Sequence, residues 1–113
     1  MASVIDANAF EDLKQVAGAD FIGELIHAFL DDAPQLIKQL EAALAANDAE
    51  SFRRAAHSLK SNAASFGANH LSSLAKQLEM LGRENKLDEI GGGLKALEEA
   101  YQVAAQELKE MAS

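Results

Sequence analysis

Apolar residues recur at three- and four-residue spacing along almost the whole chain, the period of helices that bury one face. The spacing predicts a first helix over about 6–16, with Asp6 as its N-cap and Gly18 closing it. Phe21, Ile22, Leu25, Ile26, Phe29 and Leu30 open a second stripe, and Leu36, Ile37, Leu40 and Leu44 continue it. Between them Pro34 follows two aspartates and marks either a kink or the first turn of a fresh helix. A third segment runs from about Asp48 to Phe66, introduced by Asn47 and Glu50 at capping-box-like spacing and stopped by Gly67 at the position after the C-cap. A fourth runs from about Ala68 to Glu84, striped by Leu71, Leu74, Ala75, Leu78 and Leu81. The last spans about Leu87 to Met111 and holds Leu87, Ile90, Leu94, Leu97, Tyr101 and Leu108 on one stripe across Gly91-Gly92-Gly93. Each glycine costs a helix interior about 1 kcal/mol relative to alanine. The expectation is therefore one helix with a weak or bent first half, a true break being the alternative.

Connections this short join antiparallel neighbours. The pattern predicts an all-α fold, an up-and-down antiparallel four-helix bundle with a short extra N-terminal helix covering one end. Residues 1–113 are read as one domain, and pattern alone leaves other packings of five amphipathic helices open. Apolar residues make up 49% of the chain and charged residues 25%, a globular balance. The absence of cysteine excludes disulfides, thiolate metal sites and cysteine nucleophiles. No apolar run approaches the roughly 20 residues that span a bilayer, and no signal-peptide pattern opens the chain. A cytoplasmic protein without membrane partners is the expectation. The net charge of −8 argues against nucleic acid as the main partner.

Charge changes the picture in one place. The 28 residues from Ser51 to Leu78 contain no Asp or Glu and carry Arg53, Arg54, Lys60 and Lys76. The rest of the chain holds six basic and 18 acidic residues, a balance of −12. His57 lies within the basic stretch. On a helical wheel Phe52, Ala55, Ala56, Leu59, Ala63 and Phe66 form the buried stripe, and His57 falls opposite, beside Arg53, Lys60, Ser61 and Ala64. Arg54 lies a little further round. His57 is ten residues before Gly67 and Glu79 twelve after it, so an antiparallel pair sets them at one level. Glu79 lies at the edge of its own apolar stripe, beside Ser72, Lys76 and Arg83. A carboxylate there suits one imidazole nitrogen and leaves the other as a nucleophile.

Phosphoryl transfer fits this arrangement. A neutral imidazole nitrogen attacks phosphorus, nearby cations stabilise the charge spread over the transition state, and small neighbours admit an in-line donor. Simpler readings stand beside it. A lone exposed histidine on a helix is usually a surface residue, a lysine and arginine face is often only solvated, and a helix-surface glutamate usually pairs with a lysine. His27 and His70 read as solvated. His70 and His57 differ by roughly 10 Å along the axis at about 1.5 Å per residue, which argues against a three-histidine metal site. Gly91-Gly92-Gly93 follows no strand and lacks the Gly-Lys-Ser/Thr ending of a phosphate loop. With no nucleotide motif, intrinsic kinase activity is not expected.

The run Ala56-His57-Ser58-Leu59-Lys60-Ser61-Asn62-Ala63-Ala64-Ser65-Phe66-Gly67-Ala68, followed by Leu71, Leu74, Leu78 and Glu79, closely resembles the histidine-containing phosphotransfer (HPt) domain. Phe29 to Pro34, Ala43-Leu44, Asp48 and Leu97 to Leu108 fit its other helices, so the resemblance covers nearly the whole chain. It implies a four-helix bundle with a phosphoacceptor at His57 that exchanges phosphoryl groups with receiver-domain aspartates. It implies that Lys60 contacts the phosphoryl group and that Glu79 stands where the family often carries Gln or Glu beside the imidazole. Arg83 stands where some members carry a further basic residue. Ser61 departs from the glycine of many members and bears on partner fit. Arg53, Arg54, Ser61, Ala64, Lys76 and Arg83 are the expected partner-binding residues. The expected partners are response-regulator receiver domains and a hybrid sensor histidine kinase, with no cofactor in this chain and Mg²⁺ only in the receiver. A monomer is expected, and Met1 with the short tail after the last helix favours a standalone chain over a fragment of a hybrid kinase. The contrasting reading is a non-catalytic helical interaction module using the same basic face.

Overall fold

The computed structural model describes residues 4–112. Met1, on which the standalone expectation partly rests, lies outside them. The helices are α1 (Ala7–Ala17), α2 (Ile22–Ala45), α3 (Ala49–Ser65), α4 (Asn69–Arg83) and α5 (Gly93–Ala112), with a 3₁₀ turn at Leu87–Glu89 before the last. There is no strand among the described residues. α2 packs on α3, α3 on α4, α4 on α5 and α5 back on α2, closing a ring of four. Three cross-links show α3 and α4 to be antiparallel. Arg53 lies against Gly82, His57 against Glu79, and Lys60 against Ser72. Position falls along one helix as it rises along the other.

The turns after α2, α3 and α4 share one device. After α3, the Ala68 N–H bonds to Ala63 O at 2.9 Å and the Gly67 N–H to Ala64 O at 3.0 Å. This is a Schellman motif, which needs a left-handed residue at its centre; Gly67 supplies it at φ 78°. The same pair of bonds closes α2 around Asn47 (φ 54°) and α4 around Asn85 (φ 56°). Asn47 is therefore the end of one helix and not the cap of the next. The N-cap of α3 is Asp48, whose carboxylate accepts from the Ser51 N–H at 3.1 Å.

Two further open readings are decided. Pro34 does not start a fresh helix, because α2 runs unbroken for 24 residues around it. A proline inside a helix leaves the carbonyl four residues earlier without its N–H partner. Here that carbonyl belongs to Leu30, and the Tyr101 hydroxyl of α5 donates to it at 3.4 Å. The glycine run makes the true break: Gly91 takes φ 55° and α5 begins only at Gly93. Leu87 and Ile90 stay buried, but from the 3₁₀ turn and its flank.

The core is built from the predicted stripes. Ile26, Leu40, Phe52, Leu59, Leu71, Leu97 and Leu108 are fully buried, and Phe29 packs at a tilt between Phe66 and Tyr101 at centroid distances of 5.1 and 6.0 Å. Phe21, placed on the stripe by spacing, is exposed just before α2 begins. α1 lies where α3 turns into α4. The Asp6 N–H bonds to Gly67 O at 2.7 Å, and the Asp6 carboxylate caps α1 through Asn8 N and Ala9 N.

Candidate functional site

The site is assembled across the α3–α4 seam. His57 lies on the outer face of α3 with 55% of its side chain exposed. Glu79 projects from α4 and is 2% exposed, the one buried charged residue among those described. The short distance between the helix axes needed for this comes from Gly82, one turn beyond Glu79. A Cβ there would meet the backbone N and Cα of Arg53 at 3.2 Å. Ser72 ties the seam further along by donating to Lys60 O at 3.0 Å.

Glu79 is a hub. Its Oε2 accepts from His57 Nδ1 at 2.8 Å and from Arg83 at 3.2 Å, and its Oε1 accepts from Lys60 Nζ at 2.6 Å. A carboxylate out of water is costly unless paired and hydrogen-bonded. Burial does work against ionisation of Glu79, but the hydrogen bonds from Lys60 and His57, with their charge, outweigh it and hold the carboxyl below its ordinary value. An ionised carboxylate only accepts. The hydrogen of the neutral ring therefore sits on Nδ1, and Nε2 keeps its lone pair on the exposed side of the imidazole.

The basic stretch is less basic in space than in sequence. It is bracketed by Glu50 and Glu79, and both fold onto it. Glu50 takes Arg53 at 2.6 Å and Arg54 at 3.2 Å. Those hydrogen bonds pull the Glu50 carboxyl down to about 2. The structure thus brings together His57, Lys60, Glu79 and Arg83, ties Arg53 and Arg54 to Glu50, and leaves Lys76 exposed and outside the hydrogen bonds of the cluster. Ser61 and Ala64, one and two turns along α3 from His57, are exposed and keep that face low. His27 and His70 are exposed, and no group of three or more potential metal ligands forms among the described residues. The pairing of Glu50 was readable from its i+3 and i+4 spacing to Arg53 and Arg54. The depth of Glu79 was not, since a stripe-edge position does not distinguish a rim carboxylate from a buried one.

A four-helix ring with an exposed, carboxylate-oriented histidine and a lysine one turn on is the arrangement expected of one class of protein, helical bundles that carry a group on an imidazole. The comparisons agree with that class. Residues 24–110 match the family model of the Hpt domain, and the chain belongs to that family. It is 30% identical to the phosphorelay protein LuxU of Vibrio harveyi over 88 residues, 78% of this chain and 77% of LuxU. It is 35% identical to the sensor protein TorS of Escherichia coli (strain K12) over 75 residues, 66% of this chain but only 8% of TorS. The crystal structure of histidine-containing phosphotransfer protein B (HptB) from Pseudomonas aeruginosa PAO1 superposes with a TM-score of 0.92, covering 99% of this chain and 96% of that one at 27% identity. Its function is histidine phosphotransfer.

Proposed function

We propose that this chain is a phosphorelay carrier whose phosphoacceptor is His57, taking a phosphoryl group from one receiver-domain aspartate and passing it to another. The observation that carries the reading is the 2.8 Å bond between His57 Nδ1 and buried Glu79 on a ring that is 55% exposed. It orients the imidazole, fixes the hydrogen on Nδ1 and frees Nε2 to attack. Lys60, one turn away and 27% exposed, is the cation that turns to the phosphoryl oxygens as charge develops on them. Arg83 stays near the same carboxylate and offers a second cation at the rim. Ser61 and Ala64 leave room for the in-line approach of the donor, and Arg53, Arg54 and Lys76 lie on the surrounding partner-facing surface.

On this reading the chain has no nucleotide-dependent kinase activity and no cofactor of its own; the Mg²⁺ of the reaction belongs to the receiver's acidic pocket. Its partners are response-regulator receiver domains and a hybrid sensor histidine kinase, met in the cytoplasm by a monomer. The test mixes the purified chain with a ³²P-phosphorylated receiver and follows the label. Acid-labile, alkali-stable label on this chain, absent from His57→Gln, is the expected result. Undiminished labelling of His57→Gln removes His57 from the role. No labelling by several receivers that do phosphorylate a control HPt domain favours a binding module without group transfer.

A further inference from the structure

We propose that Glu79 is a positioning residue for the release half of the cycle: it keeps the hydrogen on Nδ1 while Nε2 carries phosphorus, so that the ring departs as neutral imidazole. The inference rests on the phosphocarrier reading of His57 and deepens it.

In the loading step the Nε2 lone pair forms a bond to phosphorus. The bond from phosphorus to the donor aspartate oxygen breaks, and its electron pair stays with that carboxylate. The ring now carries Nδ1–H and Nε2–P and has gained one positive charge, 2.8 Å from the Glu79 carboxylate. In the release step an acceptor aspartate oxygen attacks phosphorus, the N–P bond breaks and its pair returns to Nε2. Nδ1 has kept its hydrogen, so neutral imidazole leaves and no proton crosses the site in either step. If Nδ1 lost that hydrogen from the phosphorylated ring, the leaving group would be the imidazolate anion, a far poorer one. A buried negative charge beside Nδ1 opposes that loss.

The surroundings decide whether Glu79 retains enough charge to act. From its own helix comes Arg83, and from α3 come His57 and Lys60 in direct contact and Arg53 through space. α5 packs on another side of α4 and buries Leu97, Ala104 and Ala105. The 3₁₀ turn brings Asp88 and Glu89, both exposed. Lys60 holds Oε1, whereas His57 shares Oε2 with the exposed Arg83. When Lys60 turns to the phosphoryl oxygens, Oε1 loses its short contact and the carboxylate charge is left to His57 and Arg83. Loading thus strengthens the hold of Glu79 on Nδ1–H at the stage where it is needed.

The test loads the parent chain and Glu79→Gln with phosphoramidate, which needs no docking partner, and measures label transfer to a receiver from pH 6 to pH 9. The variant keeps an oxygen acceptor and loses the charge. Its transfer rate is expected to begin falling at a pH about one unit lower than the parent's, which is about tenfold slower transfer at the alkaline end. Superimposable pH profiles would overturn the role of Glu79 while leaving His57 as carrier. Parent chain that takes no label on His57 from phosphoramidate or from receivers would overturn both. Should Glu79→Gln lose its helical circular dichroism, the ¹⁵N spectrum of the phosphorylated parent decides. Nδ1 protonated to pH 8 supports the proposal, and Nδ1 deprotonated at pH 7 ends it.

Discussion

At the scale of single residues, one buried carboxylate does more to organise the site than the cations that advertise it. The alignment of His57 with Glu79 was legible by counting outward from Gly67. The burial of Glu79 was not, because it depends on three donors reaching it from two helices. The same side chain carries a pH signature. A carboxyl whose folded value lies below its ordinary 4.5 contributes stability that is present above 4.5 and is lost as pH falls through the folded value. Glu50 acts in the same sense, its window running from 4.5 down to about 2. Glu98 acts oppositely. Its hydrogen bond with Glu41, then burial, raises its carboxyl, so its contribution fades as pH rises. Urea denaturation between pH 7 and pH 3 should show the parent losing stability toward acid, and Glu79→Gln should lose less. At pH 7 that variant should be destabilised by about 1–3 kcal/mol, below the usual cost of breaking a fully buried pair because Lys60 and Arg83 are partly solvated. An acid limb of equal depth in both proteins would remove Glu79 from the linkage.

At the scale of helices, the stripes predicted the four long elements well and the punctuation unevenly. Gly67 declared its turn because only glycine takes φ 78° without strain, and here a Cβ would also strike Asp6 O at 2.7 Å. Asn47 and Asn85 fill the same role with a side chain that tolerates the left-handed region but equally suits a cap, so spacing alone misassigned Asn47. The three glycines kept the apolar period of α5 intact while the backbone left the helix; periodicity records which side chains are buried, not whether hydrogen bonds continue between them. Of the two readings of Pro34 only the fresh helix start falls, and what receives the proline inside α2 is Tyr101 from another helix. Gly82 bears on the site more directly than any of these, although it lies in the last turn of α4 with no special backbone angle to mark it. Gly82→Ala places a methyl 3.2 Å from the Arg53 backbone, which must drive α3 and α4 apart beside Glu79. The variant should remain helical, lose about 1–3 kcal/mol as an overpacked contact, and accept label on His57 several-fold more slowly than the parent. Gly92→Ala, with nothing within 4 Å of the added Cβ, is the matched control and should transfer normally.

At the scale of the molecule, the chain is an acidic bundle with a locally neutralised face, so partner choice depends less on a positive field than the linear charge pattern suggests. The ring of α2 to α5 was legible because four apolar stripes with short connections have few ways to bury one another. That a short α1 covers one end was legible too; its seat at the α3–α4 turn was not, since beside buried Ile5 and Phe10 it uses a backbone bond from Asp6 to Gly67 that no side-chain pattern records. The match to the family model begins at residue 24, after α1, which makes α1 the separable part of the fold. Removing residues 1–20 would take away buried Ile5 and Phe10, each worth roughly 1.5–3 kcal/mol as an upper bound. It would also open the α3–α4 turn at Gly67. A domain of this size has about 5–15 kcal/mol in reserve, and the hydrogen bonds that join His57, Lys60, Glu79 and Arg83 all come from α3 and α4. The truncated chain should therefore keep the circular dichroism of α2–α5, denature at lower urea by an amount equal to about 3–5 kcal/mol, and still carry label on His57. A truncated chain that unfolds in buffer would show that the seam between α3 and α4 depends on the Asp6–Gly67 anchor, and that α1 is part of the site's foundation.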